Sequence, residues 1–552
     1  MARYISEMVT IDGNTITGSA GDDRVNLDKK PIDSAFVFAD LGGGNDILRD
    51  NEDDGWFGNY YMSVHGGDGN DSLYGGSSPD ALYGDAGNDY IYLYGDLATQ
   101  ELSTAIGGAG NDTIDIRECG NAYGGEGRDT IIIKEPVETG TISGGAGDDT
   151  LVLIAPTFLH VKDVAVDTVE RVIFDNPDFS TSKLRTTDEF LETFDRVGFR
   201  GKRFDLYFTD QTDFRSPEIF ERHHFSLIGS GSDDIIKLGE IEGLTLSGGK
   251  GDDILQGRYV DGGQGFDTIY GTDLDDHLTT GRIPDADILY AGDGDDHVAS
   301  LYSGDKVYAG DGDDTIISIR TRKQFHGMLS GGNGDDVLHV SDERFYGLIS
   351  LKFNGGAGTD TLYFAEGTIR PESSINAEIL DVIGVIATPD QLSDFDVIRL
   401  HGKTGIIGLS QAGELNLDKV EFGDGKVYGV RGSKGDDTIF IDAASGQNLS
   451  ISGGKGDDRI ASGGGDDRMT GGDGADLFVF GHDFGDDRID DFASGRFHDV
   501  IDLSDVASVS SFSDVTGHVK EDKWRVTITL DEGSITLYGV SSENLDDSMF
   551  VF

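Results

Sequence analysis

The chain has 552 residues, room for several domains of ordinary size, and carries 103 Asp and Glu against 43 Lys and Arg, a net charge of −60. Only 37% of residues are apolar while 82 are glycine, a balance that in an irregular sequence would signal disorder. The charge disfavours nucleic acid and anionic membrane surfaces as partners, the single cysteine, Cys119, excludes an internal disulfide, and no apolar run approaches the ~20 residues that cross a bilayer. The opening MARYISEMVT lacks a cationic end followed by an apolar stretch, so it does not read as a signal peptide.

The acids are placed, not scattered. After weaker units at Gly18 and Leu41 comes Gly66–Tyr92, which reads GGDGNDSLY, GGSSPDALY, GDAGNDYIY. Each nine-residue unit divides into a glycine turn, where φ > 0 and close chain approach are cheap, and a three-residue strand whose middle side chain points inward. Asp71, Asp80 and Asp89 hold the sixth place, and Leu73, Leu82 and Ile91 the eighth. Carboxylate and carbonyl oxygens are hard ligands of the kind calcium takes, about six to eight at a time. Two units make one turn of a flattened solenoid, so turns on one edge stack and can hold ions between them. The unit recurs about twenty times between Gly18 and Val479, at a period diagnostic of a stacked repeat.

This pattern resembles the nonapeptide repeat of the RTX family of calcium-dependent secreted proteins. The resemblance implies an all-β fold, a calcium-binding parallel β-roll or β-solenoid, here with short helix-bearing caps. It also implies bound Ca2+ as cofactor, roughly 15–20 ions for this many turns. The predicted metal ligands in the tandem trio are Gly66, Asp68, Asp71, Gly75, Asp80, Gly84 and Asp89.

Further along the first array (1–152), units at Gly107, Gly124 and Gly144 supply Asp112, Asp129 and Asp149. Spacings near eighteen residues, one full turn, predict that these stack on a single edge while plain turns close the other. From 153 to 228 the pattern breaks into β-branched strands, then TTDEFLETFDRVGF, read as a short helix N-capped by Thr187. The second array (229–365) supplies Asp234, Asp253, Asp267, Asp276, Asp296, Asp314, Asp336 and Asp360. A second break (366–431) matches the first at an offset of 201 residues and shows a capping box at Thr388, with Pro389 and Gln391. The third array (432–480) supplies Asp437, Asp458, Asp467 and Asp476. The segment 481–552 reads as a C-terminal β cap, and its tail, DDSMFVF, resembles the uncleaved signal of proteins exported by type I machinery.

No HExxH or GxSxG motif occurs. His223–His224 beside Glu221 reads as an ordinary polar loop and Cys119 as an inert thiol, so no catalytic residue is predicted. Tyr74, Tyr83 and Tyr92 should point outward, Tyr74 and Tyr92 stacking at roughly the 4.8 Å strand spacing. Trp56, Phe57, Tyr60 and Tyr61 form a candidate interface, either with another copy of the chain or with a sugar. By organisation the chain resembles RTX surface-layer, adhesin and extracellular-filament proteins, which implies an extracellular, self-assembling structural role. The alternative is a polysaccharide-binding or polysaccharide-modifying protein.

Overall fold

A computed structural model describes the chain apart from residues 1–8, 28–35, 51–60, 77, 95–101, 118–119, 135–139, 155–157, 161–163, 176–181, 187–193, 195, 201–202, 209–212, 216–217, 221–223, 239–242, 282–285, 300, 303, 320–326, 342–346, 350, 402–404, 424–427, 442–445 and 494–497. It divides into two compact units, Met1–Thr268 and Ile269–Phe552. The fold is a parallel β-solenoid with very few short helices.

In the first unit, alternate strands fall into two sheets. One stacks Thr15–Ser19, Phe36–Gly42, Tyr61–Asp68, Ala81–Ala86, Thr104–Ala109, Asn121–Glu126 and Gly140–Ala146; the other stacks Arg24–Asn26, Ile47–Arg49, Ser72–Tyr74, Tyr90–Tyr94, Thr113–Arg117, Thr130–Ile133 and Thr150–Ile154. Register is set by the period-2 burial of apolar side chains, since a one-residue slip would turn every core residue outward. Leu73, Ile91, Ile114, Ile131, Leu151 and Val172 are aligned strand on strand and are at most 1% exposed. Each contributes about 1.5–3 kcal/mol by leaving water.

The segment 153–228, free of repeats, does not end the solenoid. Phe158–His160, Ser182–Thr186, Arg203–Phe208 and His224–Ile228 form a further parallel sheet, while Arg171–Asp175, Arg196–Arg200 and Glu218–Phe220 continue one of the earlier two. The predicted helix therefore needs correction at its end: Arg196–Arg200 is a strand, paired with Arg171–Asp175. Its Val197 is buried in register with Val172, and that sheet contact outweighs helical spacing. Thr187 and most of the proposed helix lie outside the described residues.

The second unit repeats the logic. Leu278, Val298, Ile316, Leu338, Leu362, Leu380 and Ile398 align through successive parallel strands and are buried. The capping box at Thr388 is present. Gln391 N–H donates to Thr388 Oγ1, Gln391 Oε1 accepts from Thr388 N–H, and helix Pro389–Ser393 buries Leu392. Phe194 and Phe395, matched by the 201-residue offset, are both buried. At the C-terminus Val519–Asp522, Arg525–Thr529 and Gly533–Tyr538 form an antiparallel meander, and its last strand pairs in parallel with Gly485–Ile489. This meander and the pair Thr10–Asp12 with Thr15–Ser19 are antiparallel.

Candidate metal centres

The turns are as regular as the strands. At the fourth place of its unit Gly110 has φ +137°, and a Cβ there would lie 1.6 Å from the carbonyl oxygen of Gly87 one turn earlier. At the first place, a Cβ on Gly84 would lie 2.3 Å from Asp89 Oδ2 and 2.5 Å from the carbonyl oxygen of Gly107 in the following turn. The same convergence recurs at Gly66, Gly107, Gly124, Gly248 and Gly453. At these positions glycine leaves the space open and two oxygens face into it, although the units of Asp296 and Asp314 begin with the buried Ala291 and Ala309 instead.

Two ladders of side-chain hydrogen bonds run along the stack in opposite senses. At the sixth place most backbone N–H groups donate to a carboxylate one turn later, usually Oδ1 of the next aspartate. In the first unit the chain of donors runs Asp23, Asp46, Asp71, Asp89, Asp112, Asp129 and Asp149, ending on Glu170, at 2.6–2.8 Å. A second runs from Asp234 through Asp253 to Asp267. In the second unit Asp276, Asp296, Asp314, Asp336 and Asp360 lead to Glu378, and Asp437, Asp458 and Asp476 lead to Asp499. At the fifth place the direction reverses: the N–H groups of Asn70, Asn88 and Asn111 donate to the Oδ1 of the preceding turn's Asn45, Asn70 and Asn88.

The ladders satisfy Oδ1 and leave Oδ2. In Asp46, Asp71, Asp89, Asp112, Asp129, Asp149 and Asp253, and in Asp296, Asp314, Asp336, Asp360, Asp458, Asp467 and Asp476, Oδ2 is buried without a hydrogen-bond donor. These side chains are at most 2% exposed. A buried carboxylate oxygen facing a carbonyl oxygen, with no proton between them, is the costliest arrangement a core can hold. Burial accordingly pushes the carboxyls up, to about 7 for Asp89, Asp253, Asp314, Asp467 and Asp476 and about 8 for Asp296. Neighbouring aspartates add to the effect at Asp89, Asp296 and Asp476.

A bound cation resolves both problems, and the donor set fits calcium: carboxylate and carbonyl oxygens only, one carboxylate from each turn. Among the described residues no three His, Cys, Asp or Glu side chains gather at one point. A cation would therefore be held by single carboxylates and backbone carbonyls from stacked turns, an arrangement that suits a hard ion and offers nothing to a thiophilic one.

The sequence-derived ligands differ in what their carboxylates meet. Asp71, Asp89, Asp112, Asp129, Asp149, Asp253, Asp296, Asp314, Asp336, Asp360, Asp458, Asp467 and Asp476 present a donorless Oδ2, and Gly66 and Gly84 form the open space beside it. In Asp80, Asp234, Asp276 and Asp437, Oδ2 instead accepts a hydrogen bond from the N–H of the residue four positions earlier. Asp80 also leaves the main ladder; its Oδ1 accepts from Met62 N–H and its own N–H donates to Ser103 Oγ. Its unit's first residue, Gly75, is buried. Asp267 continues the ladder from Asp253 and is buried. Asp68 stands apart, its side chain exposed and only its carbonyl in the ladder, accepting from Gly44 N–H at 2.7 Å.

Sequence reasoning missed Glu170, Glu378 and Asp499, which end ladders, and the fifth-place Asn and Asp residues. Glu170 and Glu378 keep the turn spacing, 21 and 18 residues beyond the preceding aspartate, and that spacing was the available signal. The outward aromatics partly stack as expected. Tyr74 and Tyr92 lie 6.1 Å apart with rings tilted 36°, wider than the strand spacing because Arg49 sits 4.5 Å over Tyr74 and Tyr90 crowds it at 5.7 Å. Tyr83 stacks on His65 at 4.4 Å. Of the candidate interface residues, Tyr61 stacks on exposed Phe36 at 5.1 Å; Trp56, Phe57 and Tyr60 lie outside the described residues, as do Cys119, Glu221 and His223.

Fold and site define a parallel β-solenoid whose stacked turns present oxygen ligands for a hard cation. The chain is an RTX repeat protein: the RTX calcium-binding nonapeptide repeat matches it at 10–29, 65–96, 104–115, 141–153, 245–258, 259–282, 284–301, 290–318 and 450–478. Among solved structures it is similar to the extracellular lipase LipA from Serratia marcescens, at 15% identity over 52% of this chain and 40% of the lipase, with a TM-score of 0.16. The chain thus spans less than half the length of that lipase, and the likeness is too slight to bear on function. No curated protein matches the sequence.

Proposed function

We propose that the protein is a secreted, non-catalytic structural protein that folds on calcium outside the cell and assembles into a surface layer, filament or adhesive matrix. The observation that carries the calcium part is the run of buried, donorless Oδ2 atoms repeated turn after turn. Assembly is supported by apolar surface on one sheet of the first unit. Phe36 and Phe38 are 53% and 51% exposed on strand Phe36–Gly42, next to Tyr61. Exposed rings of this size on an acidic protein suit a partner of the same composition, with cations bridging the acidic rims.

Light scattering across a calcium titration tests this. Growth of the particle at millimolar calcium, reversal by chelator, and loss in the triple variant Phe36→Ser, Phe38→Ser, Tyr61→Ser are the expected results. Export through the C-terminal segment is tested by removing the chain after Asp499, which should trap the protein inside producing cells; undiminished secretion would refute that part.

A strictly monomeric particle would favour the polysaccharide reading, for which one feature of the second unit speaks. His339, Tyr363, Asp381, Arg399 and Glu421 stand in register on adjacent parallel strands. His339 packs against Tyr363 at 4.4 Å, His401 Nε2 lies 2.6 Å from Asp381 Oδ1, and Arg399 Nε donates to Glu421 at 2.9 Å. A polar and aromatic row advancing one side chain per strand matches an extended polymer. Binding of a polyuronate such as alginate, abolished in Tyr363→Ala with Arg399→Ala, would support that reading; no binding by the intact chain would reject it.

A further inference from the structure

Among the described residues the aspartate turns fall mainly into two kinds, separated by the backbone at the second place of the unit; Asp487 stands outside them, its Oδ2 accepting from Ser462 Oγ although Asp483 has φ +55°. In every turn whose aspartate Oδ2 lacks a donor, the second residue has positive φ: 103° at Gly67, 113° at Gly108, 130° at Gly310 and 120° at Gly454, for example. Asp85 holds this place without being glycine and still takes φ +71°, leaving Asp89 Oδ2 without a donor. Positive φ turns the second-place N–H away from the aspartate.

In five of the described turns the second residue lacks positive φ and lies next to a closed carboxylate. There its N–H points inward and donates to Oδ2: Ser19 to Asp23 at 2.6 Å, Gly76 to Asp80 at 2.9 Å, Ser230 to Asp234 at 2.6 Å, Thr272 to Asp276 at 2.5 Å and Ser433 to Asp437 at 2.5 Å. In the last three the hydroxyl adds a further bond to the same carboxylate. These turns hold a defined position. Asp23, Asp234, Asp276 and Asp437 each donate to the first rung of a sixth-place ladder. Gly76 shows that the N–H alone suffices; its unit has Pro79 at the fifth place, which has no N–H to give to the fifth-place ladder.

We infer that the second-place residue decides whether a turn takes a cation, and that the Ser- and Thr-bearing turns are cation-free caps opening each calcium stack. This rests on the calcium reading above. A carboxylate oxygen already holding one or two protein donors gains little from a cation and would have to break those bonds to bind one. A β-carbon at the second place disfavours positive φ and so favours the closed turn, a preference that Asp85 overrides with φ +71°. A cap at the first rung ends the stack without an unsatisfied charge where no earlier acidic turn exists to share an ion.

The third array contains its own control. Gly432–Asp437 reads GSKGDD and Gly453–Asp458 reads GGKGDD, differing only at Ser433 and Gly454. Native mass spectrometry of the calcium-loaded full chain counts its ions. Ser433→Gly should bind one ion more than wild type, Ser433→Ala, which keeps the closed backbone, should match wild type, and Gly454→Ser should bind one fewer. A wild-type count in Ser433→Gly, or an added ion in Ser433→Ala, overturns the inference. If Gly454→Ser fails to fold, the two Ser433 variants still decide. Wild type binding no calcium would instead defeat the calcium reading itself.

Discussion

Chelation of calcium is expected to convert the protein from a solenoid into an expanded chain, the largest single effect the structure implies. Without cations, a net charge of −60 repels itself along the whole stack, and the buried Oδ2 atoms have no donor. Each cation site saturated to 100 times its dissociation constant contributes about 2.7 kcal/mol to the folded state. A handful of such sites equals the whole stability of an ordinary domain, about 5–15 kcal/mol. Circular dichroism and small-angle scattering with and without chelator measure this; a compact, β-rich chelated protein would refute it.

The same carboxyls fix the sign of the pH dependence. Their folded pKa values, raised to about 6 at Asp112 and Asp458 and about 8 at Asp296, lie above the ordinary aspartate value near 3.9. Between those limits the cation-free fold holds more protons than the unfolded chain, so its stability falls as pH rises through the window. Because the calcium-free chain is expanded, its carboxyls titrate near the ordinary value of about 3.9, and calcium displaces protons only as pH falls through that value. The folding midpoint should therefore be level above about pH 5 and move to higher calcium as pH drops from about 5 to 3. A midpoint that kept falling from about pH 5 to 8 would mean that a protonated, cation-free fold, not the expanded chain, is what calcium binds.

Much of this was legible because the two strongest signals, sixth-place acid and eighth-place aliphatic, have a fixed period and opposite burial preferences. A carboxylate recurring in phase with a core residue has to lie at the same depth in every turn, as Asp89 and Ile91 do. Thr388 was legible for a local reason, since a capping box uses only contacts within one helical turn. The closed turns were not legible, because Ser433 and Gly454 differ in backbone direction rather than in any ligand they carry. The strand at Arg196–Arg200 was missed because its helical spacing is local, whereas the neighbours that hold it in a sheet, Arg171–Asp175 and Glu218–Phe220, are both remote in sequence. The fifth-place ladder was hidden by its exposure, which makes Asn70 and Asn88 look like ordinary solvated side chains until their Oδ1 atoms are seen to accept from the next turn.

The stacking of turns predicts a second large effect, at a residue that has no side chain to contribute. Gly110 sits in the middle of the longest ladder with φ +137°, a conformation that costs a side-chain-bearing residue about 1–3 kcal/mol. Worse, its Cβ would fall 1.6 Å from the Gly87 carbonyl oxygen, an overlap that no rotamer relieves because both partners are backbone. The Gly110 N–H also donates to Glu126 O at 2.7 Å in the following turn, so moving the turn aside breaks the stack in both directions. Gly110→Val should therefore part the turns carrying Asp89, Asp112 and Asp129 and remove the cation sites between them. The expected result is a loss of two or more bound ions with at least a tenfold rise in the calcium needed for folding. Gly481→Ala is the matched control: no heavy atom lies within 4 Å of its Cβ position, and its ion count and folding midpoint should equal those of the native chain. Equal behaviour of the two variants would show that the turns do not stack at this spacing.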